Sequence, residues 1–393
     1  MQFSIARLPR VESGRGSLSK LCEIIKQYGQ NVLLVTGGQY FQKSPHWERL
    51  NQQFIDQKIR YLHFPVASEP SPLLIDAAVE QFRNKSIDCV VAIGGGSALD
   101  AAKAISGLLK LENSVMDYLE GVGPELDYQG PALPLIAVPT TAGTGSEATK
   151  NAVLSMQSVD GFKKSFRHDK LVAEYTILDA DLIASCPKDL IAANGMDALT
   201  QLIESYVSIK ANPFTDSLAF HAIELVRNSL LQWYQTGSKA KEAQENMLYA
   251  AFISGVTLAQ VGLGSVHGLA SPLGAFFPIP HGVACGSLLA DATEINIQAM
   301  QQRESNNPAL EKYANLGRLF SQSFSSNIEQ ALDNLIGSLK EYTTAMEIPL
   351  LSVYGVRGSD ISRIVANSRG SSMKTNPIVL RDDEIAALIQ KRL

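Results

Sequence analysis

Apolar residues follow two regimes along the chain. Up to about residue 185 they come in short, often β-branched runs that alternate with stretches of helical spacing. Beyond that point they recur every three or four residues through long segments. The first regime predicts strands at Asn31–Thr36 (NVLLVT), Tyr61–Val66 (YLHFPV), Cys89–Ile93 (CVVAI) and Leu133–Val138 (LPLIAV), with a helix over Ser71–Asn84 and a hairpin within Val153–Arg167. Unbroken apolar runs such as Cys89–Ile93 suit strands buried on both faces of a parallel sheet, and their alternation with helices predicts such a sheet, covered by helices. The second regime predicts helices over Asp189–Ile209, Thr215–Gln235, Lys239–Gly262, Ile328–Met346 and Asp382–Leu393, with the polar block Met300–Pro308 as a loop. The pattern therefore predicts an α/β domain over residues 1–185 and an all-helical domain over residues 186–393.

Composition narrows the function without identifying it. The 393 residues include 34 Lys+Arg and 39 Asp+Glu, a net charge of −5, which argues against a nucleic-acid or anionic-membrane partner. No apolar run reaches the ~18–20 residues that span a bilayer, and Met1–Arg7 lacks the basic and apolar regions of a signal peptide. Cys22, Cys89, Cys186 and Cys285 are scattered, with no C-x-x-C spacing. They read as reduced thiols of a cytoplasmic protein, not as a disulfide frame or zinc knuckle.

Two glycine-rich loops carry the first candidate chemistry. Gly94-Gly95-Gly96-Ser97 follows the Cys89–Ile93 run and opens a helix through Asp100. Glycines let backbone approach a phosphate, and the free N–H groups at a helix start face the anion. The pattern is neither the G-x-G-x-x-G fingerprint nor a Walker A loop, and a plain strand-to-helix turn needs flexible residues too. Its place at the carboxyl end of a buried strand favours phosphate binding. A second loop, Pro139–Thr149 (PTTAGTGSEAT), is rich in hydroxyl side chains and also follows an apolar strand. Two such loops suggest one extended ligand, a dinucleotide.

The helical half holds the second candidate site. Asp197 and Gln201 lie four apart, on one helix face. His267 and His281 fall in the Gly/Pro-rich apolar stretch VHGLASPLGAFFPIPHG, where a polar side chain costs burial energy. One carboxylate and two neutral imidazoles are adequate ligands for Zn²⁺ or Fe²⁺ and leave a position open for substrate; a lone histidine is otherwise a packing residue. His46, His63, His168 and His221 read as surface or packing residues.

Taken together, GGGSALDAAKA, PTTAGTGSEAT, ILDADLIASCPKDLIAANGMDALTQLIESYVS and GLGSVHGLASPLGAFFPIPHGVACG resemble the iron-containing (group III) alcohol dehydrogenase family, of the dehydroquinate synthase-like superfamily. The similarity runs from about Pro9 to the C-terminus. It implies a dinucleotide-binding domain, a helical domain and an active site in the cleft between them. The cofactor-binding set would be Gly94, Gly95, Gly96, Ser97 and Asp100, with Thr140, Thr141, Thr144 and Lys163. The metal ligands would be Asp197, Gln201, His267 and His281. Two positions depart from the family's pattern: Gln201 stands where members usually have histidine, and Ser271 stands where a second cleft histidine is usual. Ser271 joins the catalytic candidates Asp197, His267 and His281 as a proton-relaying hydroxyl.

The resemblance implies a metal-assisted, nicotinamide-dependent alcohol dehydrogenase or aldehyde reductase acting on a small-molecule alcohol or aldehyde, with a homodimer as the family's usual state. Alternatives are a lyase of the dehydroquinate-synthase type and a non-catalytic nucleotide-binding relative; the region around His267 lacks the basic pocket that the lyase's phosphorylated acid requires. An acidic residue after the first strand would favour NAD by repelling a 2′-phosphate. The chain has Gly37 and Gly38 there, with Lys43 and Ser44 close by and no carboxylate before Glu48, so NADP is expected over NAD.

Overall fold

In the computed structural model, which describes residues 2–158, 161–322 and 327–393, the chain divides into two compact units. One comprises Ser4–Met156 and Gly161–Ser185. The other comprises Cys186–Leu393 with short additions at residues 2–3 and 157–158.

The first unit contains β1 (Arg10–Ser13), β2 (Asn31–Gly37), β3 (Arg60–Val66), β4 (Cys89–Gly94), β5 (Leu135–Pro139), β6 (Asn151–Met156), β7 (Phe162–Arg167) and β8 (Tyr175–Leu178). Six of these form a parallel sheet in the order β1-β8-β5-β4-β2-β3, while β6 and β7 form the expected antiparallel hairpin. Val159 and Asp160, inside that hairpin, lie outside the described residues. Every residue of β4 and β5 is buried, which is why their sequences are unbroken apolar runs. Leu133 and Pro134 stay outside β5; the Leu133 N–H instead donates to the Ser106 carbonyl. The short edge strand β1 (RVES) and the four-residue β8 were not expected, because neither is long enough to show a period.

Helices α1 (Leu21–Ile25), α2 (Pro45–Asp56), α3 (Pro72–Phe82) and α4 (Gly96–Leu108) cover the sheet. Alternation along β2 divides the core. Leu33 and Val35 pack with Ile75, Val79 and Ile105 from α3 and α4, whereas Val32 and Leu34 pack with Ile25, Leu50 and Phe54 from α1 and α2. Successive side chains of a strand point to opposite faces, so one strand serves two hydrophobic layers. The order β5-β4-β2 also sets the carboxyl ends of these three strands side by side.

The second unit is built from α5 (Lys188–Val207), α6 (Pro213–Thr236), α7 (Lys241–Val261), α8 (Ser265–Phe276), α9 (His281–Arg303), α10 (Pro308–Ser321), α11 (Ile328–Ala345), α12 (Ile361–Ala366) and α13 (Asp382–Gln390), with no strand among its described residues. Asn212 caps α6 by accepting from the N–H groups of Phe214 and Thr215, and the Thr215 hydroxyl returns the contact. One sequence expectation is corrected: Met300–Arg303 is the last turn of α9, not loop, and irregular chain begins at Glu304. Helices α8 and α9 are buried on nearly all sides, so they show no apolar stripe, and Pro272 inside α8 looks like a break. Among the described residues no single helix is long and apolar enough to cross a membrane. Only α7 and α8 together, bent by 101°, reach the required length and composition.

Candidate active site

Three loops meet at the carboxyl edge of β2, β4 and β5. Gly94 ends β4, Gly95 caps α4 without any side-chain acceptor, and Gly96 is its first helical residue. The N–H of Thr140 donates to the Gly94 carbonyl, joining the two glycine loops directly. A Cβ on Gly95 would lie 3.2 Å from Thr141 Oγ1, and one on Gly96 would lie 2.8 Å from Thr144 Cγ2. Gly94 is tighter still, since a Cβ there would fall 2.6 Å from Ala98 Cβ and 2.8 Å from the backbone nitrogen of Gly37. The glycines therefore allow close approach of backbone to backbone as well as leaving N–H groups free for an anion.

Other candidates have defined partners. Asp100 accepts from Ser146 Oγ at 2.5 Å and from Lys103 Nζ at 3.2 Å, and Lys103 also donates to Thr149 Oγ1. Lys163, on β7, pairs with Glu69 Oε1 at 2.7 Å. Ser97 is half-buried in the first turn of α4. Gly38 has a φ of +35° with open space around its Cα, while Gly37 lies at the end of β2. Of the four histidines read as surface or packing residues, His63 contacts Thr36 Oγ1 at 2.9 Å and His168 accepts from the Lys170 N–H. His221 is exposed beside Glu224.

In the helical unit, Asp197, Gln201 and Glu204 form a line along α5, at positions i, i+4 and i+7. Helix α9 runs close against that helix because of Gly282. A Cβ there would lie 2.3 Å from the Ala193 carbonyl oxygen, a distance no other residue tolerates. The approach brings His281, the first residue of α9, and Cys285, one turn later, to Asp197. His267 comes from the start of α8. Its Nε2 lies 3.3 Å from Asp197 Oδ1, and His281 Nε2 lies 3.7 Å from the same oxygen. Cys285 Sγ is 3.6 Å from His267 Nε2 and 3.8 Å from His281 Nε2. The donor atoms of these four residues all lie within 4.8 Å of one another.

The other nitrogen of His267 is held by Glu204, with Nδ1 2.6 Å from Oε2, and Glu204 Oε1 accepts from the Val266 N–H at 2.7 Å. A carboxylate on Nδ1 directs the remaining lone pair of Nε2 toward the cluster, as in carboxylate–histidine–metal arrangements. Nε2 then faces a buried Asp197 oxygen that accepts no hydrogen bond. Two acceptors at 3.3 Å repel unless a cation or an added proton lies between them.

The electrostatics agree. Burial works against the Asp197 carboxylate, but His281 and His267 outweigh it and hold the carboxyl down at about 2. Burial likewise opposes charge on His267, yet Cys285, Glu204 and Asp197 raise its pKa well above the ordinary value. Burial pushes the Cys285 thiol up to about 12, against the pull of His267. The cluster is thus arranged around positive charge.

Gln201 lies next to this cluster in sequence, with its Oε1 accepting from Ser254 Oγ at 2.7 Å. Ser271 is half-buried on α8, one turn after His267. Sequence reasoning missed Cys285 and Glu204. The signal for Cys285 was its i+4 spacing from His281, and that for Glu204 its place on the Asp197–Gln201 stripe.

An open parallel sheet with glycine loops at its carboxyl edge, and a helical unit with a buried cluster able to hold a cation, define a metal-dependent dehydrogenase in outline. The family of iron-containing alcohol dehydrogenases matches residues 9–180, and the C-terminal part of the Fe-containing alcohol dehydrogenase family matches residues 191–393. The chain is 36% identical over 293 residues to the probable alcohol dehydrogenase EutG of Escherichia coli K12, covering 74% of this chain and 73% of EutG. It is 30% identical to the NADPH-dependent butanol dehydrogenase of Clostridium saccharobutylicum, over 99% and 97% of the two chains, and 29% identical to the NAD-dependent methanol dehydrogenase of Bacillus methanolicus, over 97% of each. The crystal structure of a 1,3-propanediol oxidoreductase superposes with a TM-score of 0.90 at 28% identity, covering all of both chains. The chain belongs to the iron-containing alcohol dehydrogenase family, and it is an oxidoreductase of the alcohol dehydrogenase type.

Proposed function

We propose that this dehydrogenase interconverts a small alcohol and its carbonyl compound in the cytoplasm, using NADP in preference to NAD and a divalent cation held by Asp197, His267 and His281. The observation that carries the metal is the pair of buried acceptors, Asp197 Oδ1 and His267 Nε2, facing each other at 3.3 Å while Glu204 occupies the other imidazole nitrogen. These residues fit a cation of the zinc or iron(II) class in donor type and spacing. When bound, such an ion acts as a Lewis acid toward the substrate oxygen.

The remaining work falls to the chain itself. Gly95, Gly96 and Ser97 offer N–H groups at the start of α4 to the pyrophosphate, and Thr140, Thr141 and Thr144 add hydroxyls beside them. The cofactor carries the hydride, while the protein supplies orientation and charge. Ser271 passes the alcohol proton toward solvent. Free thiols at all four cysteines suit a reducing compartment. For the cofactor preference, support comes from the absence of a carboxylate after β2, where Gly37 and Gly38 are followed by Gln39. Steady oxidation of reduced cofactor with a panel of aldehydes is expected, falling by roughly 1000-fold in Asp197→Ala together with bound metal. Full activity in chelator-stripped protein would overturn the metal assignment. Turnover with NADH at least as efficient as with NADPH would overturn the cofactor preference.

A further inference from the structure

Cys285 plays no part in the reading above, yet its sulfur completes a figure with the three proposed ligands. A tetrahedral ion bound through nitrogen and oxygen at ~2.0–2.1 Å and sulfur at ~2.3 Å requires donor–donor edges of roughly 3.3–3.7 Å. The edges present are 3.3 Å and 3.7 Å from Asp197 to the two imidazoles, and 3.6 Å and 3.8 Å from Cys285 to the same nitrogens. These are four of the six edges of a coordination tetrahedron, three of them within that range and the fourth just beyond it, and the other two, Asp197–Cys285 and His267–His281, lie within 4.8 Å.

The side chains reach these positions for structural reasons. His281 and Cys285 lie on one face of α9, one turn apart, and the close α5–α9 contact at Gly282 sets that face against Asp197. Cys285 is fully buried. An apolar filler would serve as well for packing, but here the thiol lies between two imidazole nitrogens and beside an unbonded carboxylate oxygen. Gln201, one turn along α5 from Asp197, turns its amide oxygen to the Ser254 hydroxyl. Gln201 thus has its amide oxygen engaged, while Cys285 Sγ on α9 faces both imidazoles.

We propose that Cys285 binds as a thiolate, making the resting centre a carboxylate–bis-imidazole–thiolate site selective for zinc over iron(II), to which a substrate oxygen would add as a fifth ligand. The inference rests on the proposed metal site and names its fourth ligand. On binding, the sulfur–hydrogen bond breaks, the thiol proton passes to solvent and sulfur donates a lone pair to the cation, with no change of oxidation state. A thiolate is a soft donor, and softness shifts preference toward zinc where hard oxygen and water ligands would suit other ions.

The test uses full-length protein stripped of metal and titrated with Co²⁺ as a spectroscopic probe, with Zn²⁺ and Fe²⁺ affinities measured by competition. Wild-type protein should show a sulfur-to-cobalt charge-transfer band in the near ultraviolet, a readout that requires no variant and no turnover. Cys285→Ser should lose that band while keeping the visible cobalt bands of the remaining ligands. It should weaken zinc by roughly 100-fold and iron(II) by much less. Cobalt bound to wild-type protein without the charge-transfer band would overturn the proposal, as would a zinc affinity unchanged in Cys285→Ser. Failure of wild-type protein to bind any of the three ions would overturn this inference along with the metal site beneath it. Binding that depends on Asp197 and His267 but not on Cys285 would remove the inference alone.

Discussion

Each unit buries a carboxylate completely, and the two are treated in opposite ways. Glu147 lies within the threonine loop of the first unit, where burial raises its pKa to about 7 and Lys103 offsets only part of that. Asp197 lies on α5 in the second unit, where burial pushes the same way but His281 and His267 prevail and hold it at about 2. The difference follows what each region has to receive. Loops proposed to hold a pyrophosphate gain from a neighbour that sheds its negative charge, whereas a cation site needs a carboxylate that keeps it. The materials differ too. The first site is made of backbone brought close by glycines, and the second of side chains aimed by helix spacing. Adding an atom should therefore damage the first most, and removing a donor should damage the second.

Gly94→Ala is the largest expected break. The new methyl would lie 2.6 Å from Ala98 Cβ and 2.8 Å from the Gly37 nitrogen, so β2, β4 and α4 must shift. A loss of about 3 kcal/mol, the upper range for overpacking, should appear as a lower urea midpoint, with metal content of the folded fraction unchanged. An unaltered midpoint would show that the first site does not depend on backbone approach.

Glu147 and Asp197 also predict opposite pH dependences. A carboxyl whose pKa rises on folding binds its proton more tightly in the folded chain, so its contribution is present in acid and is lost as pH climbs from about 4.5 to about 7. For Glu147 a rise of that size corresponds to about 3 kcal/mol. Asp197 has the reverse sign, its contribution present above the ordinary 3.8 and lost as pH falls toward about 2. Denaturation at a series of pH values should show the neutral-range slope flatten in Glu147→Gln. A slope unchanged by that substitution would place Glu147 in an ordinary environment and remove the contrast.

Removing a donor behind the metal cluster gives the next effect. Glu204→Gln keeps the shape but replaces the carboxylate on His267 Nδ1 with an amide. Metal affinity should fall about 10–100-fold, the usual cost of losing such a partner, while the urea midpoint of the first unit stays put. Equal affinity in the variant would mean that His267 is oriented by packing alone.

The two regions also differ in how legible they are in the sequence. The glycine loops were legible because a backbone-built site is local: an apolar run, then glycines, then a helix, all within fifteen residues. Strands β2 and β4 were visible for the same reason. Asp197, His267 and His281 stood out as polar types in apolar surroundings, but their company did not. Recognising Cys285 required knowing that α9 begins at His281, and the run PIPHGVACGSLLAD has too many small residues to show a helical stripe. A cysteine that joins donors from other helices carries no C-x-x-C spacing, so its sequence neighbours do not mark it. Glu204 was hidden by distance, since its partner lies 63 residues away. Sites assembled from several helices are encoded in packing, which a one-dimensional pattern carries only weakly.

The smallest expected effect sharpens the backbone side of the comparison, at the proposed ribose end of the cofactor site. An acidic side chain after β2 would accept from ribose hydroxyls and repel a 2′-phosphate. Gly38 is a poor place to introduce one, because its φ of +35° lies in the left-handed region that glycine tolerates and side chains resist. Gly37 is better. It carries no such conformation, and a Cβ there would meet Gly94 Cα at 3.5 Å, the Gly95 nitrogen at 3.7 Å and Ala98 Cβ at 3.8 Å, all ordinary contacts. Gly37→Asp should therefore fold normally and place a carboxylate at the end of β2, directly against the phosphate loop. The ratio of kcat/KM for NADPH over NADH should fall about tenfold, roughly 1.4 kcal/mol of discrimination, mainly through a higher KM for NADPH. A ratio that stays level in a normally folded variant would place the 2′-phosphate elsewhere and leave the glycines after β2 with a purely structural task.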